Sequence, residues 1–209
     1  SNKFKAWEKL CKSQLENLGY RNIKFIGKGL FGFVFSGINN QDEIFVFKFS
    51  RRILSEKLKA RLEDEAFMLS QVTHKNIPKF FDFHQNNGQS IILMERAIGE
   101  NLEEISLNQG RLSGKIILQI AAQLSQILSF LRNIKPSKSA LTRQIVHGDI
   151  KPSNIVFDDK NLKIKLIDWG ASVFAQINKS GEPIDHTILN LLAGHANESN
   201  TLMGDIYFI

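Results

Sequence analysis

Cysteine is almost missing from this chain: Cys11 is the only one in 209 residues. A lone thiol excludes a disulfide framework and points to a reducing, cytoplasmic compartment. No apolar run is long enough to span a bilayer, and no secretory signal pattern opens the chain, so no membrane span is expected. Internal repeats and low-complexity segments are also missing, which leaves an ordinary globular domain. Neither sign of charge dominates: 27 Lys and Arg against 21 Asp and Glu give a formal +6. That balance suits a nucleotide-binding cleft or an acidic partner, and it does not call for nucleic acid. Phenylalanine, by contrast, is plentiful, with 16 copies. Together with abundant Asn, Lys and Ile it fits an AT-rich bacterial or viral gene. A chain of this length buries one sizeable core, or two small lobes around a cleft, and a monomer is expected.

The most informative block is His147-Gly148-Asp149-Ile150-Lys151-Pro152-Ser153-Asn154, followed by Asp168-Trp169-Gly170. Asp149 can take or orient a hydroxyl proton. Asn154, five residues on, can ligate a metal. Asp168 closes the apolar run Ile164-Lys165-Leu166-Ile167. Two strands joined by a tight turn would bring Asp149, Asn154 and Asp168 to one point. One base with two oxygen ligands for Mg²⁺ is the minimum apparatus for moving a phosphoryl group from ATP to a hydroxyl. The block resembles the catalytic and metal-binding loops of the eukaryotic-type protein kinase family, H-R-D-L-K-P-x-N and D-F-G.

That resemblance implies an α+β, bilobal protein-kinase-like fold. It implies an N-lobe antiparallel sheet with one main helix and a shortened, mostly helical C-lobe. Residues 1–22 would be an N-terminal helical extension, 23–97 the N-lobe and hinge, and 98–209 a partial C-lobe. Gly27-Lys28-Gly29-Leu30-Phe31-Gly32-Phe33-Val34 reads as the family's glycine-rich loop between two strand-like runs. Glycines there let backbone N–H groups approach phosphate oxygens with no Cβ in the way. No helix start follows, so a dinucleotide-binding fingerprint does not fit the context. Lys48, in the apolar run Ile44-Phe45-Val46-Phe47-Lys48-Phe49, needs a partner. In the family this Lys holds the α- and β-phosphates. Glu63, Asp64 and Glu65 all lie on the helical pattern from Ser55 to Val72, where Leu58, Leu62, Ala66 and Leu69 fall near one face. The family spacing to His74-Lys75-Asn76-Ile77 selects Glu65.

By the same resemblance Val34 and Val46 cover the adenine and Met94 is the gatekeeper. Backbone groups of Glu95 and Ala97 bond the adenine edge, and Asn101 faces the ribose. Asn101 with Glu104 also has the spacing of a helix capping box, which alone explains it. Asp149 acts on the attacking hydroxyl, Lys151 touches the γ-phosphate, and Asn154 and Asp168 hold Mg²⁺. His147 packs beneath the loop. Ser113 to Ile134 is the longest helical stretch, and Pro136 to Gln144 a polar surface insertion. Lys3 to Leu18 is an amphipathic helix with Phe4, Trp7, Cys11 and Leu18 on one face. It packs on the N-lobe, or, given its lysines, meets a membrane surface or partner.

Three departures from the family pattern stand out. Gly148 replaces the Arg that in many members grips a phosphate on the activation loop, which implies activity independent of phosphorylation there. Trp169 replaces Phe, and its bulk favours a fixed inward position. No A-P-E follows Asp168. Instead Gly204-Asp205-Ile206-Tyr207-Phe208-Ile209 resembles the start of the family's central buried helix, or alternatively the segment just before A-P-E. Either the chain is a naturally reduced kinase or the sequence stops inside a longer domain. Reduced kinases of this type occur among effectors that bacteria inject into host cells, and some need a host protein as activator. For this chain that implies host cytoplasm, a protein substrate and an activating partner.

Two other readings stay open. Small-molecule phosphotransferases of the aminoglycoside and choline type share the fold and carry H-G-D and I-D-W, which Gly148 and Trp169 match. Lys151-Pro152 and the complete glycine loop match a Ser/Thr protein kinase instead. A partner-binding pseudokinase is the third reading, and the intact set of Lys48, Glu65, Asp149, Asn154 and Asp168 opposes it.

Overall fold

A computed structural model describes residues 2–28, 32–50, 56–86, 89–134 and 144–175. Gly29 of the glycine loop, most of the expected insertion and the segment around Asp205 lie outside these residues. The chain forms two compact units. The first comprises Ser1–Gln71 and Pro78–Arg96, the second Val72–Ile77 and Ala97–Ile209.

In the first unit a helix, α1 (Asn2–Asn17), leads into strands β1 (Arg21–Lys28), β2 (Gly32–Ile38) and β3 (Ile44–Ser50). Helix α2 (Glu56–Ser70) and the hairpin β4 (Phe80–Asn86) and β5 (Gln89–Glu95) follow. The five strands form one antiparallel sheet in the order β1-β2-β3-β5-β4. Aromatic and β-branched residues fill these strands because they pack well on a pleated surface. The register explains why β3 reads as one apolar run. Phe45, Phe47 and Phe49 alternate with Val46 and Lys48, and both faces of the sheet are covered.

Helix α1 covers one face. Cys11 and Leu15 bury fully against Phe33, Phe35, Phe47, Phe49 and Ile91, with Phe4 and Trp7 packed alongside. Helix α2 covers the other face, with Leu62 and Ala66 against Ile92, Met94, Phe80 and Phe83. The spacing predicts Leu18 on the buried face of α1, but Leu18 is 59% exposed. The helix ends at Asn17, and the turn that follows carries Leu18 outward, so Leu15 takes the core position.

In the second unit, β6 (Glu100–Asn101), β8 (Ile155–Asp158) and β9 (Lys163–Leu166) form a small sheet, and β7 (Ile145–Val146) pairs with β10 (Val173–Phe174). Helix α3 (Leu102–Gln109) starts on a complete capping box between Asn101 and Glu104. Helix α4 (Gly114–Arg132) is capped by Ser113 and buries Ile120, Ile127 and Leu131. By length and composition alone α4 would pass as a membrane-crossing helix, which the absence of long apolar runs does not predict. Its polar residues interrupt the run, and Gln123 bonds Asn76, Leu162 and Ile164 within the same unit.

Candidate functional site

The first unit positions a buried ion pair. Lys48 and Val34 are register partners across β2 and β3, and Val46 pairs with Met94 across β3 and β5. Directly paired strand residues project to the same side, so Val34, Val46, Lys48 and Met94 share the face that α2 covers in part. Lys48 Nζ lies 2.8 Å from Glu65 Oε1 and 2.7 Å from Oε2. Both groups are buried, with Lys48 at 7% and Glu65 at 2% exposure. Glu63 and Asp64 are exposed, and Glu63 instead takes a hydrogen bond from Gln85. At the end of β5 the Glu95 N–H donates to the Lys79 carbonyl and its carboxylate accepts from the Lys79 N–H.

Gly32 has a steric reason of its own. A Cβ there would stand 1.8 Å from the Phe49 carbonyl oxygen, so β2 can lie this close to β3 only with glycine. Phosphate approach therefore does not account for this glycine alone.

The second unit gathers the remaining residues around the β8–β9 hairpin. A short 3₁₀ turn, Pro152–Asn154, delivers Asn154 to the start of β8. The Ile167 N–H donates to the Asn154 carbonyl, which fixes the segment before Asp168 beside the catalytic-type loop. Asn154 Nδ2 donates to the Asp149 backbone carbonyl and to Asp149 Oδ2, each at 2.9 Å. Lys151 Nζ stands 3.0 Å from the same carboxylate oxygen. With its amide nitrogen committed to Asp149, Asn154 keeps Oδ1 as an acceptor, the atom type hard cations take. Asp168 has φ +60°, a left-handed backbone that Asp and Asn adopt more readily than other side chains. An amide oxygen and a carboxylate are donor types that Mg²⁺ takes, so Asn154 and Asp168 would fit it. Among the described residues no group of three or more His, Cys, Asp or Glu gathers as a closed metal cage.

His147 is a support. It is buried, lies edge-on to Trp169 with ring centroids 4.8 Å apart, and accepts the Asp149 N–H at Nδ1. That leaves the proton on Nε2, which donates to the Ile167 carbonyl at 3.2 Å. Burial pushes its pKa down from 6.5 to about 4, against the opposing pull of Asp168, the Ile167 carbonyl and Asp149. The unfolded imidazole takes a proton near 6.5, while the folded one waits until about 4. Stability from this group is complete above 6.5 and falls as pH drops towards 4, by about 3 kcal/mol in all. Urea unfolding at stepped pH should show that fall in the wild type. The difference from His147→Gln, which cannot titrate, isolates it.

Trp169 is buried and donates from Nε1 to the Leu166 carbonyl at 3.1 Å. Gly148 has φ +80°, and a Cβ there would stand 2.5 Å from the Ala171 carbonyl oxygen. Its place in the loop thus has a backbone cause. Asn76 is the residue that sequence reasoning missed. It is buried, donates to Gln123 Oε1 and the Ile164 carbonyl, and accepts the Leu166 N–H at its own carbonyl. It fixes the strand that leads to Asp168. A polar residue just before the apolar Ile77 was the available signal. Neighbouring His74 has a local role, accepting the Asn76 N–H and stacking near Phe130.

Residues 20–190 match the family model of the protein kinase domain. The chain is 30% identical over 180 residues to the dual specificity protein kinase zakA of Dictyostelium discoideum, covering 82% of this chain and 21% of that protein. It is 29% identical over 160 residues to calmodulin-binding receptor-like cytoplasmic kinase 1 of Arabidopsis thaliana, covering 75% and 33%. It is 29% identical over 189 residues to the serine/threonine-protein kinase PknA of a Nostoc species, covering 84% and 32%. The chain spans about a third or less of the length of these curated relatives.

Proposed function

Because the chain belongs to the protein kinase domain family, we propose that it transfers the γ-phosphoryl group of ATP to Ser or Thr hydroxyls of a protein. The observation that carries this reading is the Asp149 carboxylate, held at one oxygen by Asn154 and Lys151. A carboxylate fixed in this way can orient a substrate hydroxyl and accept its proton as the oxygen attacks phosphorus. Lys151 would leave Asp149 for the γ-phosphate as negative charge develops there, since a single ammonium serves whichever anion is nearer. Lys48, steadied by Glu65, would hold the α- and β-phosphates. Val34, Val46 and Met94 offer an apolar face for the adenine, with backbone groups of Glu95 and Ala97 at its edge. Gly27, Gly29 and Gly32 would approach the phosphates, and Asn101 the ribose. Asn154 and Asp168 would hold Mg²⁺, which when bound neutralises the phosphate oxygens.

Gly148 leaves the loop without the Arg that answers an activation-loop phosphate, so activity would not require phosphorylation after Asp168. The names of two relatives support Ser/Thr or dual specificity, and Lys151-Pro152 fits the former. The test is incubation of the purified chain with Mg²⁺ and labelled ATP, alone and with a mixed cell lysate, beside Asp168→Asn. Label on protein that vanishes in the variant supports the proposal. Label only with lysate points to a narrow substrate or a required partner. ATP consumed with small hydroxylated metabolites but without protein label would move the assignment to a small-molecule phosphotransferase. Phosphatase treatment that silences the chain would overturn the independence from phosphorylation.

A further inference from the structure

The face of the sheet turned away from Lys48 bears an aromatic layer, and α1 supplies part of it. Its first two turns reach the strand ends that flank the glycine loop. Phe4 meets Phe25 edge-to-face at 5.3 Å and Phe33 at 5.4 Å. Trp7 lies closer still, 4.1 Å from Phe33 between ring centroids, and also touches Phe35 and Phe49. Phe33 follows Gly32 and precedes Val34, whose side chain projects from the opposite face. Pressure on Phe33 therefore sets where Gly32 and Val34 sit.

Strand β1 needs such support. Among the described residues it is an edge strand, paired with β2 alone, and its register shifts twice, once between Phe25 and Gly27. A bulge of this kind disrupts the ladder and bends the strand just before its end. The ladder resumes past the shift, with Gly27 opposite Val34 and Lys28 opposite Phe33, and the contact of Phe4 with Phe25 adds a hold from outside it. The other half of α1 has a different task. Leu15 and the turn to Tyr20 pack at the far end of the sheet, where Tyr20 meets Phe47 at 4.6 Å.

We propose that Trp7, with Phe4, is a positioning residue for the nucleotide: it braces Phe33 and Phe25 so that Gly27, Gly32 and Val34 are held ready for ATP. This rests on the reading of the first unit as an ATP-binding one. A preformed strand pair binds its ligand without the cost of ordering it, so loosening the brace should weaken binding and leave the chemical step alone. Trp7 acts through its ring, so Phe should largely replace it.

The test uses the full chain and Mg-ATP, with affinity followed by displacement of a fluorescent ATP analogue and stability by thermal melting. Trp7→Ala should weaken Mg-ATP binding about tenfold and raise KM with kcat nearly unchanged. Trp7→Phe should return affinity to within about threefold of wild type, since most of the ring contact survives. Leu15→Ala should lower the melting temperature at least as much as Trp7→Ala yet change affinity by less than about twofold. Should Trp7→Ala not fold, Trp7→Leu, which keeps apolar volume without the ring, decides in its place. Unchanged affinity in the Trp7 variants, or equal weakening by Leu15→Ala, would overturn the inference alone. A wild-type chain that binds no Mg-ATP would overturn the nucleotide reading and the inference with it.

Discussion

Asp168→Asn should lower phosphoryl transfer by about 10³-fold or more while leaving the melting temperature close to wild type. The two halves of that result have separate causes. Asp168 sits at φ +60°, and Asn tolerates a left-handed backbone about as well as Asp does, so the loop keeps its path. The packing around the loop is also untouched: Trp169 stays buried with its indole on the Leu166 carbonyl, and Asn154 stays bonded to Ile167. What disappears is one negative charge, and with it the stronger of two donors proposed for Mg²⁺. Asp168→Ala separates geometry from charge. It removes the charge equally but places a Cβ at positive φ without a polar side chain that stabilises it. A further loss of about 1 kcal/mol, roughly 3 °C in melting temperature, is expected for Ala. Equal activity in wild type and Asp168→Asn, measured with labelled ATP at saturating Mg²⁺, would remove Asp168 from the metal site.

The loop motifs were legible because phosphoryl transfer needs fixed residue types at fixed short spacings, and those survive in one dimension. Strands were legible for a similar reason, since Phe and Val at alternate positions mark a pleated, buried surface. Glu65 emerged from family spacing, and periodicity agrees: it lies three residues after Leu62 and four before Leu69, both buried, while Glu63 and Asp64 point elsewhere. What escaped depends on partners remote in sequence. Asn76 meets residues 47 and 88 positions away, and no local pattern announces them. Gly32 was read through phosphate and Gly148 through the Arg it replaces, yet each has a carbonyl pressed against it, from Phe49 and Ala171. Leu18 fitted the helical period, but the helix stopped one residue earlier.

The buried pair of Lys48 and Glu65 should behave as a functional device that the fold would be no weaker without. Lys48→Met removes the ammonium and leaves the Glu65 carboxylate, 2% exposed, in the stripe formed by Leu62, Ala66 and Leu69. Losing one partner of a buried pair costs about 3–5 kcal/mol, because the remaining charge has already given up its water. The expected stability loss for Lys48→Met is of that order. Replacing both groups with apolar residues removes the desolvation cost along with the attraction, an exchange that is often neutral or favourable. Lys48→Met combined with Glu65→Leu should therefore regain most of the stability lost in the single variant. Activity should not return with it, since the ammonium proposed to hold the α- and β-phosphates is gone: transfer should stay about 10²-fold or more below wild type. Urea denaturation and labelled-ATP turnover on the same three proteins decide the matter. If the double variant is as unstable as the single one, the pair belongs to the architecture. Recovered stability with absent turnover would mean that this apolar sheet and the helix on it carry a lysine and a glutamate for the nucleotide, at a cost to the fold that their mutual attraction only offsets.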